Sequence, residues 1–110
     1  MKLESLVKIA LVSMAIMLSQ LSYAETVWID VRSSVEHSLN NIEGDVHIAY
    51  ADIAEEVARL YPDKTTEIHL YCQSGGRADK AKVSLEDAGY TNVVNSGGVS
   101  DARKERGIDQ

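Results

Sequence analysis

The stretch Glu67–Ala88, EIHLYCQSGGRADKAKVSLEDA, changes its hydrophobic period at a pair of glycines. Before them, Ile68, Leu70 and Cys72 alternate with His69 and Tyr71, the pattern of a strand with one face in a core. After them, Ala78, Ala81, Leu85 and Ala88 recur at helical spacing, which predicts a helix from Arg77 or Ala78 through Ala88. Gly89 then stands where a helix-ending glycine belongs. Strand, tight glycine loop and helix follow one another without a linker.

The same alternation extends in both directions. Thr26–Val31, TVWIDV, reads as a strand, and Ser33-Ser34-Val35-Glu36 matches a capping box that starts a short helix. Asn40–Gly44 is turn-like, and DVHIAY after it is a short extended piece. Ala51–Tyr61 carries Ile53, Val57 and Leu60 or Tyr61 at helical spacing, and Pro62 ends it. Tyr90–Asn95, YTNVVN, reads as a strand, Ser96–Gly98 as a turn, and Val99–Gln110 as one short helix with a loose end. Strands alternating with helices predict one α/β domain, with a mostly parallel central sheet and helices on both faces. The acidic run Asp52, Glu55 and Glu56 reads as the solvated face of its helix.

Residues 1–24 read differently. Lys2 and Lys8 give a weakly basic start, and Leu6–Leu18 is apolar except for Lys8 and Ser13, of signal-sequence length and too short for a membrane span, while Ser22-Tyr23-Ala24 offers small residues where a signal peptidase cuts. No cluster of basic residues follows, as a retained anchor would favour. A cleaved signal at 1–24 and a folded domain at 25–110 are expected. The signal's loss removes Lys2, Lys8 and Glu4, so the remainder is one unit more acidic than the whole-chain net charge of −6. An acidic domain is a poor partner for nucleic acid or an anionic membrane, both of which need a basic face.

Cys72 is the single cysteine of the chain, so no internal disulfide is possible. An unpaired thiol in an exported protein is a liability unless it is buried or used. Free cysteine is often only a small buried hydrophobe. Here, however, it stands at the carboxyl end of a strand, where open α/β sheets place their ligands. Gly75 and Gly76 can adopt backbone angles that aim several amide N–H groups inward, and the helix after them adds its positive end. Arg77 adds a fixed charge. A free cysteine titrates near 8.5, and such surroundings bring it down to roughly 3.5–7.5. The thiolate needs no histidine base, and Cys72 reads as a nucleophile in an anion cradle. His37, His47 and His69 lie at wide spacing without paired ligand motifs, so no metal and no cofactor are expected.

YCQSGGRA resembles the active-site loop of single-domain rhodaneses, the thiosulfate sulfurtransferases, whose pattern is Cys-x-x-Gly-x-Arg before a helix. WIDVRSSVEH resembles the family's Asp-Val-Arg motif with its later glutamate, NNIEGDVHI its Gly-His-Ile-x-Gly-Ala segment, and GYTNVVNSGGV its closing Gly-Gly signature. The chain departs from the family at Asn40 and Asn41, at Asp45, and after Gly98, where the usual aromatic is missing. The resemblance implies a rhodanese-like fold in the periplasm, expected as a monomer, that takes sulfur from a small anionic donor such as thiosulfate and passes it to a thiol or cyanide. Cys72 would carry the persulfide and the amides of Gln73, Ser74, Gly75, Gly76 and Arg77 would hold it, with the Arg77 side chain steering the dianion and Ser74 adding a hydroxyl donor. Asp30 and Arg32 would tie the first strand and helix to the loop.

Two other classes share parts of this pattern. A cysteine phosphatase or arsenate reductase also uses a thiolate in an anion cradle, but related phosphatase loops have a longer spacer than the four residues between Cys72 and Arg77. A persulfide carrier or binding module on the same fold is the other, since fold alone does not fix function. A Cys-x-x-Cys redox role lacks its second cysteine.

Overall fold

The computed structural model describes residues 25–109; the expected signal segment lies outside them. Four parallel strands form one sheet: β1 (Thr26–Asp30), β2 (Val46–His47), β3 (Glu67–Cys72) and β4 (Val93–Gly98), in the order β2-β1-β3-β4. The helices are α1 (Ser34–Leu39), α2 (Ile53–Leu60), α3 (Gly76–Asp87) and α4 (Val99–Arg106), and a 3-10 turn at Tyr50–Asp52 leads into α2.

Alternation along the strands divides the core between the two faces of the sheet. On one face Val27, Ile29, Ile68, Leu70, Cys72 and Val93 pack against Ile53 and Val57 of α2 and Ala78, Ala81 and Leu85 of α3. On the other, Tyr71 packs with Ile42 and with Val99 and Ala102 of α4, and Trp28 and Ile108 close the edge. Helices therefore cover both faces, as the strand–helix alternation predicts. Side chains such as Ile68, Leu70 and Leu85, fully buried, each stabilise the fold by about 1.5–3 kcal/mol relative to exposure.

Three local expectations shift, and one open alternative is decided. The α3 stripe ends at Leu85: Ala88 is exposed, and Tyr90 fills the core position beyond the helix, its hydroxyl donating to the Tyr61 carbonyl at 2.7 Å. Of the two alternatives at the end of α2, Tyr61, just past the helix, packs on the core, and Leu60 is half-exposed. Only Val46–His47 of the extended piece pairs, with Ile29 and Asp30 of β1. Ser96-Gly97-Gly98 is not a turn but the end of β4. There the pairing with β3 shifts register, from Leu70 opposite Asn95 to Cys72 opposite Gly98, so one residue of β3 faces two of β4. A run of small residues looks like a turn locally, and only the neighbouring strand reveals it as a bulged edge.

Helix α1 buries none of its residues, and Val35 and Leu39 are exposed. Polar contacts fasten it instead. The capping box forms, with the Glu36 amide donating to Ser33 Oγ at 3.2 Å and the Ser33 amide to Glu36 Oε1 at 3.2 Å. His37 Nδ1 donates to the Asp30 carboxylate at 2.9 Å.

Candidate active site

Consecutive strands leave β1 in opposite directions across the sheet, so the order reverses between β1 and β3. The crevice at their carboxyl ends is the topological switch point where ligands bind in open α/β sheets. Cys72 ends β3 at this crevice, and α3 begins four residues later.

The loop between them turns on Gly75, which has φ +101 and caps α3. A side chain is strained at that angle, so the position favours glycine. The turn directs the Gly75 amide at Cys72 Sγ, with nitrogen and sulfur 2.9 Å apart. Cys72 is only 1 % exposed. Burial works against its ionisation, but the amides of Ala78, Ser74, Gly75 and Arg77 outweigh it and hold the thiol below its ordinary value. Of the expected amides of Gln73–Arg77, those of Ser74, Gly75 and Arg77 act on the sulfur, those of Gln73 and Gly76 do not, and Ala78 in the first turn of α3 joins from outside the expected span.

The expected site residues are gathered here with different postures. Gln73, Ser74 and Gly76 are exposed at the rim. The Gln73 carbonyl lies so close to Gly98 that a Cβ at Gly98 would overlap it. The Arg77 guanidinium turns to α1, where Nη1 and Nη2 donate to the two carboxylate oxygens of Glu36 at 2.6 and 2.8 Å. This pair, helped by Ser33, lowers the Glu36 pKa from 4.5 to about 2 and raises that of Arg77. The Arg77 charge thus arrives at the rim already paired.

Asp30 and Arg32 are both buried and form an ion pair of 2.7 Å. Burial pushes the Asp30 carboxyl up, but hydrogen bonds from Arg32, His37 and the Arg32 amide bring it below its ordinary value. Arg32 also donates to the Asn40 carbonyl. Through His37 and the Asn40 carbonyl the pair braces α1, and among the described residues its hydrogen bonds do not extend to the cysteine loop. The histidines are satisfied polar groups. His47 Nε2 donates to the Arg32 carbonyl at 2.8 Å and its ring stacks on His37, while His69 faces Glu67 at 3.2 Å and stacks on Trp28. Among the described residues no group of three or more histidine, cysteine or acidic side chains is placed to hold a metal ion.

This chain belongs to the rhodanese-like family. The profile of the rhodanese-like domain matches residues 14–105. The chain is 33 % identical over 94 residues to thiosulfate sulfurtransferase PspE of Escherichia coli K12, covering 86 % of this chain and 90 % of that protein. A solved Escherichia coli rhodanese with anions superposes with a TM-score of 0.66 at 34 % identity, over 69 % of this chain and 89 % of that one. The putative sulfur carrier protein YrkF of Bacillus subtilis is 30 % identical over 67 residues, 61 % of this chain and 35 % of its own. Sulfur transfer is the class of chemistry that these likenesses support for a rhodanese with Cys72 at its loop.

The departures from the rhodanese pattern have structural partners that the sequence does not announce. Asn40 Oδ1 and the Asn41 carbonyl accept from Arg103 of α4 at 3.0 and 2.9 Å. Asp45 accepts from Arg106 at 2.7 and 3.0 Å and from the Tyr71 hydroxyl at 2.7 Å. They lash α4 to the loop before β2. A cleft of about 280 Å³ beside them, lined by Trp28, Asp45, Tyr61 and Arg106 among others, lies at the amino-terminal ends of the strands, away from Cys72.

Proposed function

We propose that this protein is an exported thiosulfate sulfurtransferase that works through a Cys72 persulfide, with residues 1–24 as its cleaved signal, 25–110 as its one domain, and the periplasm as its compartment. The observation that carries the reading is the set of amides facing Cys72 Sγ, led by Ala78, Ser74, Gly75 and Arg77. The thiolate attacks the outer sulfur of thiosulfate. A bond forms between Sγ and that sulfur, the sulfur–sulfur bond of thiosulfate breaks, and sulfite leaves with the electron pair. The charge that was on Sγ now rests on the outer sulfur of the persulfide, one atom further into the nest. Cyanide or a thiolate then attacks that sulfur and returns Cys72 as thiolate, a two-step exchange typical of covalent catalysis. No proton moves in the first step, so no general base is needed.

In this reading Gln73, Ser74, Gly75, Gly76 and Arg77 bind the donor. Ser74 adds its hydroxyl at the rim, and Arg77, braced there by Glu36, offers its remaining guanidinium N–H groups to the anion. The four residues between Cys72 and Arg77, a shorter spacer than in related phosphatase loops, favour sulfur transfer over a phosphatase. The likeness to a putative sulfur carrier keeps a carrier role as the second reading, and turnover separates the two.

Two measurements test the proposal together. Protein treated with thiosulfate should gain the mass of one sulfur on the Cys72 peptide, and with cyanide present it should release thiocyanate over many cycles. Cys72→Ala should do neither. Thiocyanate release by the variant would reassign the nucleophile, and one sulfur per chain without turnover would make the protein a carrier.

A further inference from the structure

The cradle around Cys72 is soft by composition. Gly75 and Gly76 are adjacent, so the peptide plane between them can rotate at little steric cost. Within α3 itself the Gly75 carbonyl receives one helical hydrogen bond, from the Asp79 amide at 2.9 Å. No side chain caps the amino end of α3. That single bond leaves the carbonyl oxygen a second lone pair, and a partner from outside the helix can hold the plane more firmly.

The bulge at the end of β4 supplies it. Where one residue of β3 faces two of β4, Asn95 stands opposite Leu70 just before the register changes. Its side chain spans from β4 to the loop. Nδ2 donates to the Gly75 carbonyl at 3.0 Å, and Oδ1 accepts from the Gly97 amide at 2.9 Å. Gly97 has φ +83, which curls its amide back onto Asn95. The two ends of the same carboxamide are thus committed, so the side chain is held in one orientation. The carbonyl and the amide of Gly75 are joined by only two soft torsions. Fixing the carbonyl while φ stays at +101 fixes the direction of the amide 2.9 Å from Cys72 Sγ. Bulges often re-aim a side chain beside an active site, and here the side chain that is aimed is Asn95.

We propose that Asn95 is a positioning residue for the nucleophile: it locks the Gly75 carbonyl from the neighbouring strand and thereby keeps the cradle amides directed at the Cys72 sulfur. It rests on the sulfurtransferase reading for its purpose, but not for its test. The Asn95 side chain bonds the Gly75 carbonyl and the Gly97 amide, and its effect on the sulfur runs through Gly75. The amides that hold the Cys72 thiol below its ordinary value are the groups whose aim it would secure.

The experiment is the pH profile of Cys72 alkylation by iodoacetamide, which reads thiolate formation without any sulfur chemistry. In Asn95→Ala and in the near-isosteric Asn95→Leu, the midpoint should move upward. At a pH below the wild-type midpoint, alkylation should fall roughly threefold to tenfold, the range that the loss of one net hydrogen bond implies. The thermal midpoint of each variant is recorded alongside. A lowered thermal midpoint with an unmoved alkylation profile would make Asn95 merely structural and overturn the inference. If neither variant folds, titration of the unmodified protein by NMR decides. The Gly75 amide and the Asn95 side-chain amide should shift with the same midpoint as Cys72, and an Asn95 signal indifferent to that titration would overturn it. A moved alkylation profile in a protein that gains no sulfur from thiosulfate would leave Asn95 in its role and refute the sulfurtransferase reading instead.

Discussion

Replacing Gly98 by alanine should damage the fold and the cysteine loop together, and the structure says why. The backbone at Gly98, φ −90 and ψ 171, suits alanine without strain. The obstacle is space: an added Cβ would overlap the Gln73 carbonyl oxygen and stand 3.1 Å from the Gln73 carbonyl carbon. That atom is backbone, one residue past Cys72, and cannot swing aside as a side chain would. Either the loop is pushed off its amide aim or the β3–β4 ladder opens where Cys72 faces Gly98. Overpacking of this kind costs about 1–3 kcal/mol. For a domain of this size each kcal/mol lowers the melting temperature by about 4–8 °C, so a loss on the order of 10 °C is expected. Urea and thermal unfolding can be followed by fluorescence of Trp28, the one tryptophan, which lies between His69 and Arg106. Sulfur loading from thiosulfate is measured on the same samples. Gly76→Ala is the control for stability alone, because a Cβ there meets nothing within 4 Å at an ordinary φ, and its stability should be unchanged or gain up to about 1 kcal/mol. A Gly98→Ala protein that melts within a degree of wild type and loads sulfur normally would refute the reasoning.

Three further outcomes are expected. Glu36 has a folded pKa of about 2, below its ordinary 4.5, because Arg77 and then Ser33 favour the carboxylate. Its contribution to stability is therefore complete above pH 4.5 and disappears as pH falls through 2. The difference in melting temperature between wild type and Glu36→Gln should shrink over that window, and a gap that is constant from pH 6 to pH 2 would contradict it. Arg77→Ala should reduce kcat/KM for thiosulfate more than the acceptor step; equal losses in steady-state kinetics would assign Arg77 to bracing the loop through Glu36 alone. Asp45→Ala strands the buried Tyr71 hydroxyl and frees Arg106, and should cost about 1–3 kcal/mol in urea denaturation, whereas an unchanged midpoint would show that the departure from the rhodanese pattern is neutral.

Features that depend on residues within one strand or one helical turn were legible beforehand. A β-rich run marks β1, alternation marks β3, the Ser33–Glu36 capping box marks the start of α1, and the stripe from Ala78 to Leu85 marks α3. The cysteine at a strand end, followed by two glycines, was enough to foresee an amide nest, because φ +101 at Gly75 is a property that glycine makes available locally. Ala78 in that nest could have been anticipated too, since the first amides of any helix lack partners within it. Ala88 and Tyr90 were harder. Periodicity continues past the end of a helix on paper, but the chain leaves its axis at Gly89, and the next apolar side chain takes the core position.

Local pattern along the chain specifies the succession of strands and helices, and sets one thiol at a glycine loop that opens a helix. The tertiary structure decided how that loop is held. Glu36 meets Arg77 across 41 residues, Asn95 meets Gly75 across 20, and Asn40 and Asp45 meet the arginines of α4 across 63 and 61. Such partners are chosen by which strands lie side by side and where a bulge shifts their register, and no propensity or spacing within a single element records that choice. The chemistry at Cys72 is local, but the aim of the amides around it depends on distant parts of the chain.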